Sequence, residues 1–242
     1  MKVALVYILI GFVIALVSCG QDDDKNDVNP SGSVKDIAVR GTEDGAVHSD
    51  YYIQVFIDPD TIEVWQTDYY GLKPSIAVMF DGYGYDSKGS GGTDDYAIFK
   101  QHSDILGDSL FSGLLIPFSN RIIIGELMEI NVLTNDDFDE EHKSGSSVSD
   151  IITFYGSSPV DYIKNGYKST KEYSTYLPEG ISFKYDLIKC NASKISQENV
   201  NYIDYHFSLC FDRLPSSPGS YTFEIEIQLS QKTLKNKVTM EF

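Results

Sequence analysis

Alternation of apolar and polar residues is the main pattern of this chain, and it is clearest near the C-terminus. Every second residue from 221 to 229 is apolar, which gives one face to a core and the other face to water. Turn residues at 216–219 precede this run, and apolar residues return after a second turn around 230–233. The pattern predicts a β-hairpin that closes the chain.

Similar but shorter patterns predict further strands upstream. They cover residues 34–39, 51–57, 61–65, 75–80, 113–118, 121–133 with a bend at Gly125, 181–190 and 201–211. No amphipathic helix is evident between them, which favours an all-β, predominantly antiparallel β-sandwich. The Pro218-Gly219 turn followed by Tyr221 and Phe223 resembles the closing strands of immunoglobulin-like sandwiches in bacterial surface proteins, and this resemblance implies an immunoglobulin-like topology.

Two segments interrupt the strand pattern near the first predicted hairpins. Asp58-Pro59-Asp60 has the composition of a tight turn, because proline presets φ for a bend. Residues 81–95 are rich in glycine and predict a long hairpin loop, or a binding loop with Tyr83 and Tyr85 as flat platforms. A phosphate-binding loop is excluded, because acids rather than a Lys-Ser/Thr pair follow the last glycine.

The middle of the chain, residues 134–180, has weak patterning. It begins with an acid cluster at 134–143, and residues 148–155 and 160–165 suit short helical turns. We interpret this segment as an irregular crossover or insertion, or as the junction between two sandwiches. The body of the protein, residues 34–242, is therefore one β-sandwich domain, or two that divide near 134–180.

The N-terminus has the pattern of an export signal. Lys2 is followed by an apolar run over residues 3–17, shorter than the ~20 residues that span a bilayer. The next residues complete Leu16-Val17-Ser18-Cys19, which resembles the lipobox of bacterial lipoproteins. The resemblance implies that residues 1–18 are a lipoprotein signal peptide and that Cys19 is lipidated. An ordinary secretory leader, cleaved elsewhere, is the alternative.

Residues 19–33 predict an acidic flexible tether, because they are polar, carry like charges and contain Pro, Gly and Ser. The tract resembles the one behind the lipidated cysteine in Bacteroidetes-type surface lipoproteins, although a plain solvated tether fits equally well. This resemblance implies a lipid-anchored protein of the outer membrane, exposed at the cell surface, and it assigns no activity. A calcium loop is excluded here, because Asp27 stands where that loop needs glycine.

The charge of the chain excludes several partners. The formal net charge is −17, whereas binding to nucleic acid or to anionic lipid needs clustered Lys and Arg. We therefore expect the membrane to be a partner only through the lipid on Cys19.

Catalytic motifs are missing from the sequence. It contains no Gly-x-Ser-x-Gly, His-Glu-x-x-His, phosphate-loop or Cys-x-x-Cys pattern, so we predict no catalytic residue, cofactor or metal. The acid cluster suits a glycan hydrolase only if two carboxylates are held about 5 to 9.5 Å apart. A cation site or a solvated face is the other interpretation of this cluster.

We expect a non-catalytic module that binds a glycan or an envelope protein, or is structural in the envelope, with a carboxylate-dependent glycan hydrolase as the alternative. Flat aromatic rings cover the apolar face of a sugar, and five occur in two neighbouring predicted loop regions: Trp65, Tyr69, Tyr70, Tyr83 and Tyr85. They are the candidate ligand-binding residues, although Trp65 also suits a core position.

Cys190 and Cys210 are the two cysteines outside the predicted leader and anchor. A simple hairpin between their strands would place them beyond the ~7 Å Cα separation that a disulfide allows. We favour two buried thiols, and a disulfide remains the alternative.

Overall fold

The computed structural model describes residues 47–69, 73–115, 120–168, 186–198 and 200–242. They all belong to a compact unit that spans Asp36–Phe242. The predicted leader, the tether, the strand predicted at 34–39, Tyr70 and residues 169–180 lie outside the described residues. No helix in the described parts of the chain is both long and apolar enough to cross a membrane.

The fold is a mostly β, predominantly antiparallel sandwich, as predicted, and its immunoglobulin-like character stays a prediction. One sheet has the strand order β5-β2-β3-β10-β7-β8, a second has the order β12-β11-β6-β9, and β1 pairs with β4. The strands are β1 (Val47–Ser49), β2 (Val55–Tyr69), β3 (Lys73–Asp86), β4 (Gly113–Leu115), β5 (Arg121–Ile123), β6 (Glu126–Thr134), β7 (Ile152–Ser158), β8 (Asp186–Asn191), β9 (Val200–Asn201), β10 (His206–Phe211), β11 (Ser220–Leu229) and β12 (Thr233–Glu241).

Two hydrophobic cores follow from this arrangement. The larger lies between the sheets and takes Ile, Val, Leu and Phe side chains from both. The smaller lies under two helices, α1 (Thr93–Leu106) and α2 (Val160–Lys164), and includes Phe56, Phe99 and Ile122. Alternation along β11 and β12 places one face of that hairpin in the larger core, so the predicted closing hairpin is confirmed.

The turn predicted at Asp58-Pro59-Asp60 is wrong. These residues lie inside β2, where a bulge between Pro59 and Thr61 leaves Asp60 without a partner on β3. Proline is tolerated at a bulge because its missing N–H interrupts no ladder there. A Cβ on Gly82, which pairs with Pro59, would lie 2.2 Å from the Asp58 carbonyl oxygen, so only glycine fits opposite the bulge.

The long hairpin loop predicted at 81–95 is also wrong. β3 continues to Asp86, and after six residues the chain enters α1, a helix that the strand pattern does not predict. Asp94 and Asp95 in its first turn complement the positive end of the helix dipole, and Gly107 ends it in the left-handed conformation.

The bend predicted at Gly125 is confirmed, and it is the point at which the chain passes from one sheet to the other. β5 belongs to the six-stranded sheet and β6 to the four-stranded sheet, so the chain changes sheets at this residue. Gly125 has a φ of 110°, which is strained for any other residue.

The middle segment is more regular than expected. A strand, β7, occupies the second half of the stretch predicted as a helical turn at 148–155, and only Ser149–Ile151 forms a 3₁₀ turn. The short helix predicted at 160–165 is confirmed as α2. β7 pairs with both β8 and β10, so Cys190 and Cys210 lie on opposite sides of it instead of on one hairpin. Both cysteines are free thiols.

Candidate functional site

A cavity of about 270 Å³ lies at one end of the sandwich, beside helix α1. Its walls come from four places in the chain: the β2–β3 hairpin, α1, the bend at Gly125 and the turn between β11 and β12. We call it the α1 cavity, bounded by Asp58, His102, Gly125 and Lys232. It lies where the chain passes between the sheets at Gly125, and α1 forms part of its wall.

An ion pair forms one side of the α1 cavity. Lys232 Nζ lies 2.7 Å from Asp58 Oδ1 and 3.6 Å from Asp60 Oδ1. The hydrogen bond to Asp58 raises the pKa of the Lys232 ammonium, so this lysine stays charged at neutral pH. Asp58 lines the cavity and Asp60 does not, although both contact the same lysine.

A neutral histidine forms another side. Burial lowers the pKa of His102, although the charge of Asp58 opposes that shift. Its Nδ1 lies 3.0 Å from the hydroxyl of Tyr202, which orients the imidazole ring. One ring nitrogen of a neutral imidazole donates a hydrogen bond and the other accepts one.

Tyr202 reaches His102 through an uncommon backbone conformation. Its φ is 50°, a left-handed value that is uncommon for a bulky residue. The hydroxyl of Ser158 donates to its carbonyl oxygen at 3.0 Å and helps to hold this conformation. Strain of this kind concentrates at functional sites.

The remaining walls combine apolar side chains with the polar residues Gln101, Ser230 and Gln231. Ile98, Ile124 and Leu229 line the α1 cavity together with the ring of Tyr85. Tyr85 is half-buried and also packs against the smaller core. Burial, followed by the charge of Asp58, raises the pKa of the Tyr85 hydroxyl, which is therefore neutral at pH 7.

The structure separates the candidate ligand-binding residues predicted from the sequence. Tyr85 lines the α1 cavity, and the ring of Tyr83 lies 5.1 Å from it with 49% of the residue exposed. Trp65 is 44% exposed and lies seven residues from Asp58 along β2, about 23 Å at 3.3 Å per residue. Tyr69 ends β2.

The expected placement of these aromatic residues on loops is wrong for Trp65, Tyr69, Tyr83 and Tyr85, because all four belong to β2 or β3. The alternative of Trp65 as a core residue is wrong as well, because its side chain points away from the larger core. Tyr83 donates a hydrogen bond to Asp95 on α1 and so joins the helix to the hairpin.

The acid cluster is built around an arginine. Ligand atoms of Asp139, Glu141 and His142 lie within 4.8 Å of one another, close enough to share a metal ion. However, Arg213 Nη2 lies 3.0 Å from a carboxylate oxygen of Asp139 and 3.0 Å from one of Glu141. The guanidinium supplies the positive charge that a metal ion would bring.

Two other acids of the cluster accept hydrogen bonds from backbone N–H groups, one on β11 and one in the same loop. Asp136 accepts from the N–H of Thr222 at 3.0 Å, and Asp137 from the N–H of Ser144 at 3.0 Å. These contacts hold a loop in place, and they leave both carboxylates outside the α1 cavity.

Sequence reasoning missed Asp58, His102, Tyr202 and Lys232 as site residues. Asp58 and Lys232 are 174 residues apart, and His102 lies on the helix that was not predicted. The available signal for that helix was Gly92-Thr93-Asp94-Asp95 at its start and Gly107 at its end.

Comparison of this chain with protein-family models, with curated proteins and with solved structures found no match.

Proposed function

We propose that this protein is a lipid-anchored, non-catalytic module that acts outside the cytoplasm and binds a small ligand in the α1 cavity. The observation that carries the proposal is the lining of the cavity, which combines an apolar wall with an ion pair and a neutral histidine. Ligand sites are concave and combine apolar surface with polar groups that fix the orientation of the ligand. The ligand is a glycan or a component of an envelope partner.

The alternative, a carboxylate-dependent hydrolase, has less support. General acid–base cleavage of a glycoside needs two carboxyl groups on opposite sides of the bond. Among the described residues that line the cavity, Asp58 alone carries a carboxylate, and Lys232 already neutralises it. Binding therefore suits the cavity better than hydrolysis does.

The anchor is tested by fractionation of cells that express the Cys19→Ala chain. We expect this variant to leave the membrane fraction or to accumulate unprocessed, because it lacks the thiol that would carry the lipid. Cys190→Ala is the matched control and should stay with the membranes. Membrane association of Cys19→Ala equal to that of the wild type would contradict the anchor.

The binding role is tested by filling the α1 cavity. The full chain, purified in detergent, is screened against a glycan array and small polar metabolites, and any hit is measured again with Gln101→Trp. Gln101 lines the cavity, so a larger side chain there should abolish binding. Ile105→Trp changes an exposed residue of the same helix that lies outside the cavity, and this variant should still bind the ligand. If the ligand binds Gln101→Trp as tightly as it binds the wild type, the α1 cavity is not the binding site.

A further inference from the structure

The charge around the α1 cavity restricts the ligand that it accepts. Asp58 and Asp60 share one lysine, Lys232, and His102 is neutral, so the group carries one negative charge in excess. The whole chain has a net charge of −17. Phosphate and carboxylate ligands are therefore repelled at long range, and they find no unshared cation among the described residues that line the cavity.

A cationic ligand is also poorly matched. Asp58 is already compensated by Lys232 at 2.7 Å, and Asp60 does not line the cavity. An ammonium ligand would have to displace Lys232, which would then lose a charge-assisted hydrogen bond. A neutral ligand requires no such exchange.

The polar groups of the cavity call for a ligand that both donates and accepts hydrogen bonds. Asp58 accepts only, the ammonium of Lys232 donates only, and the amide of Gln101 does both. Asp58 and Lys232 lie 2.7 Å apart on the wall, so neighbouring ligand atoms must offer a donor to one and an acceptor to the other. Hydroxyl groups on neighbouring carbons meet this demand, because each one donates and accepts.

The apolar groups of the wall call for a C–H face on the same ligand. Ile98, Leu229 and the ring of Tyr85 line the cavity together with the polar groups. A pyranose has hydroxyls around its edge and C–H bonds on its faces, so it satisfies both kinds of wall. A linear polyol of the same size lacks the rigid face that an aromatic ring covers.

The size of the cavity limits the ligand to one unit. At about 270 Å³, it is smaller than the ~300–1,000 Å³ of pockets that hold drug-sized ligands. Gln101 is exposed and Lys232 only partly buried, so the cavity opens to solvent. A longer glycan can therefore enter by its end while the rest of the chain stays outside.

We propose, on the basis of the binding function argued above, that the α1 cavity binds one neutral sugar unit, either free or at the end of a glycan. Asp58 and Lys232 hold its hydroxyls, and Tyr85 covers its C–H face. His102, oriented by Tyr202, supplies a further polar contact from the helix side.

The experiment is a calorimetric titration of the full chain in detergent with neutral hexoses, their uronic acids and their amino sugars. At least one neutral hexose should bind about tenfold more tightly than its uronic acid, because the carboxylate is repelled. Comparison of that hexose with oligosaccharides that end in it separates a free sugar from a glycan end. A uronic acid or amino sugar that binds as tightly as the neutral sugar would overturn the ligand class.

Matched variants assign the binding to the cavity. Asp58→Asn should lower the affinity for the sugar about tenfold, whereas Asp60→Asn should change it less than about threefold. The reason is that both aspartates contact Lys232 but only Asp58 lines the cavity. Equal losses in the two variants would overturn the site. Lys232→Met, in a surface turn, repeats the test if Asp58→Asn does not fold, and an unchanged affinity in Lys232→Met would overturn it as well.

The outcomes separate this inference from the function on which it rests. Suppose that no sugar binds, but that another ligand binds and Gln101→Trp abolishes its binding. This result would overturn the assignment of the ligand as a sugar and keep the binding function. Failure of every ligand to bind in the cavity would overturn both.

Discussion

At the scale of single residues, buried polar side chains differ in whether they have hydrogen-bond partners. Asp108 is fully buried and accepts hydrogen bonds from the N–H groups of Tyr52 and Ile53, both at 2.8 Å, and from the hydroxyl of Tyr167 at 2.9 Å. Burial raises the pKa of its carboxyl, and these three donors oppose the shift. Ser103, five residues earlier, is also fully buried, but its hydroxyl has no hydrogen-bond partner among the described residues.

The Ser103→Ala variant is therefore expected to be more stable than the wild type. A buried hydroxyl without a partner costs about 1–3 kcal/mol, and alanine also has the higher helix propensity. We expect the free energy of unfolding in urea to rise by about 1 kcal/mol. Ser149→Ala is the control, because Ser149 Oγ accepts from the N–H of Val132 at 2.9 Å; its loss should lower stability by about 1–2 kcal/mol. A clear loss of stability in Ser103→Ala would show that the hydroxyl has a partner.

At the scale of elements, the β2–β3 hairpin is shaped by its bulge. The extra residue, Asp60, lies two positions after Asp58, and both carboxylates contact Lys232 on the β11–β12 turn. The bulge thus joins the six-stranded sheet to the four-stranded sheet at the α1 cavity. Gly82 makes it sterically possible, since any Cβ there would meet the backbone of β2.

Gly82→Ala is expected to destabilise the protein and to weaken ligand binding together. A Cβ at this position would lie 2.2 Å from the Asp58 carbonyl oxygen, which forces the bulge apart at a cost of about 2 kcal/mol or more. The control is Gly84→Ala, whose Cβ would meet only the side chain of Val55 at 2.9 Å and should cost about 1 kcal/mol, because a side chain gives way more easily than backbone. Urea unfolding and calorimetry measure the two effects, and equal stabilities of the two variants would contradict this role of Gly82.

At the scale of the whole molecule, polar side chains close the gap between the edges of the two sheets. The amide of Gln66 on β2 donates to the carbonyl oxygen of Glu241 at 3.1 Å and accepts from its N–H at 3.0 Å. Asn236 on β12 donates in turn to the carbonyl oxygen of Ile62. These bonds occupy backbone groups that an open sheet edge would expose to other chains.

A second long-range connection joins the 134–147 loop to the segment before β7 and to the β10–β11 connection. His142 Nε2 lies 3.0 Å from Asp150, its Nδ1 lies 2.8 Å from Asp139, and Arg213 contacts the same Asp139. Burial lowers the pKa of His142, but the hydrogen bonds to Asp139 and Asp150 outweigh it, and the pKa is raised above its ordinary value. The network is therefore strongest when His142 is protonated.

The stability contributed by this network should depend on pH. Because the folded-state pKa of His142 is raised, its contribution is complete below the unfolded value of about 6.5 and is lost as the pH rises through the folded value. His142→Gln should thus destabilise the protein by about 1–2 kcal/mol near pH 6 and by less near pH 8.5. Urea unfolding across this range is the measurement.

His102→Gln is the control for that experiment, because the effect of this substitution on stability should change with pH in the opposite direction. Burial lowers the pKa of His102, so the wild type loses stability as the pH falls below about 6.5, and the variant does not. Parallel pH profiles for the two variants would contradict both assignments.

The sequence by itself determined the sheet-forming character of this protein and the hairpin at its end. Regular alternation over residues 221–229 needs no other part of the chain to indicate a strand, because the period of side chains along a strand is two. The bend at Gly125 was also predictable, since a glycine inside an apolar run marks a break. The export signal and Cys19 rest on local pattern alone and stay predictions.

The tertiary structure alone decided the order of the strands and the location of the α1 cavity. Asp58 and Lys232 are distant in the chain and meet only because a bulge in β2 faces the β11–β12 turn. Turn-like composition at 58–60 concealed this bulge, since the same residues suit a turn and an interrupted ladder. Helix α1 was not predicted because much of its surface is polar and only one face is buried. Such a narrow apolar face is a weak signal in the sequence, and the contact that buries it is made only in the tertiary structure.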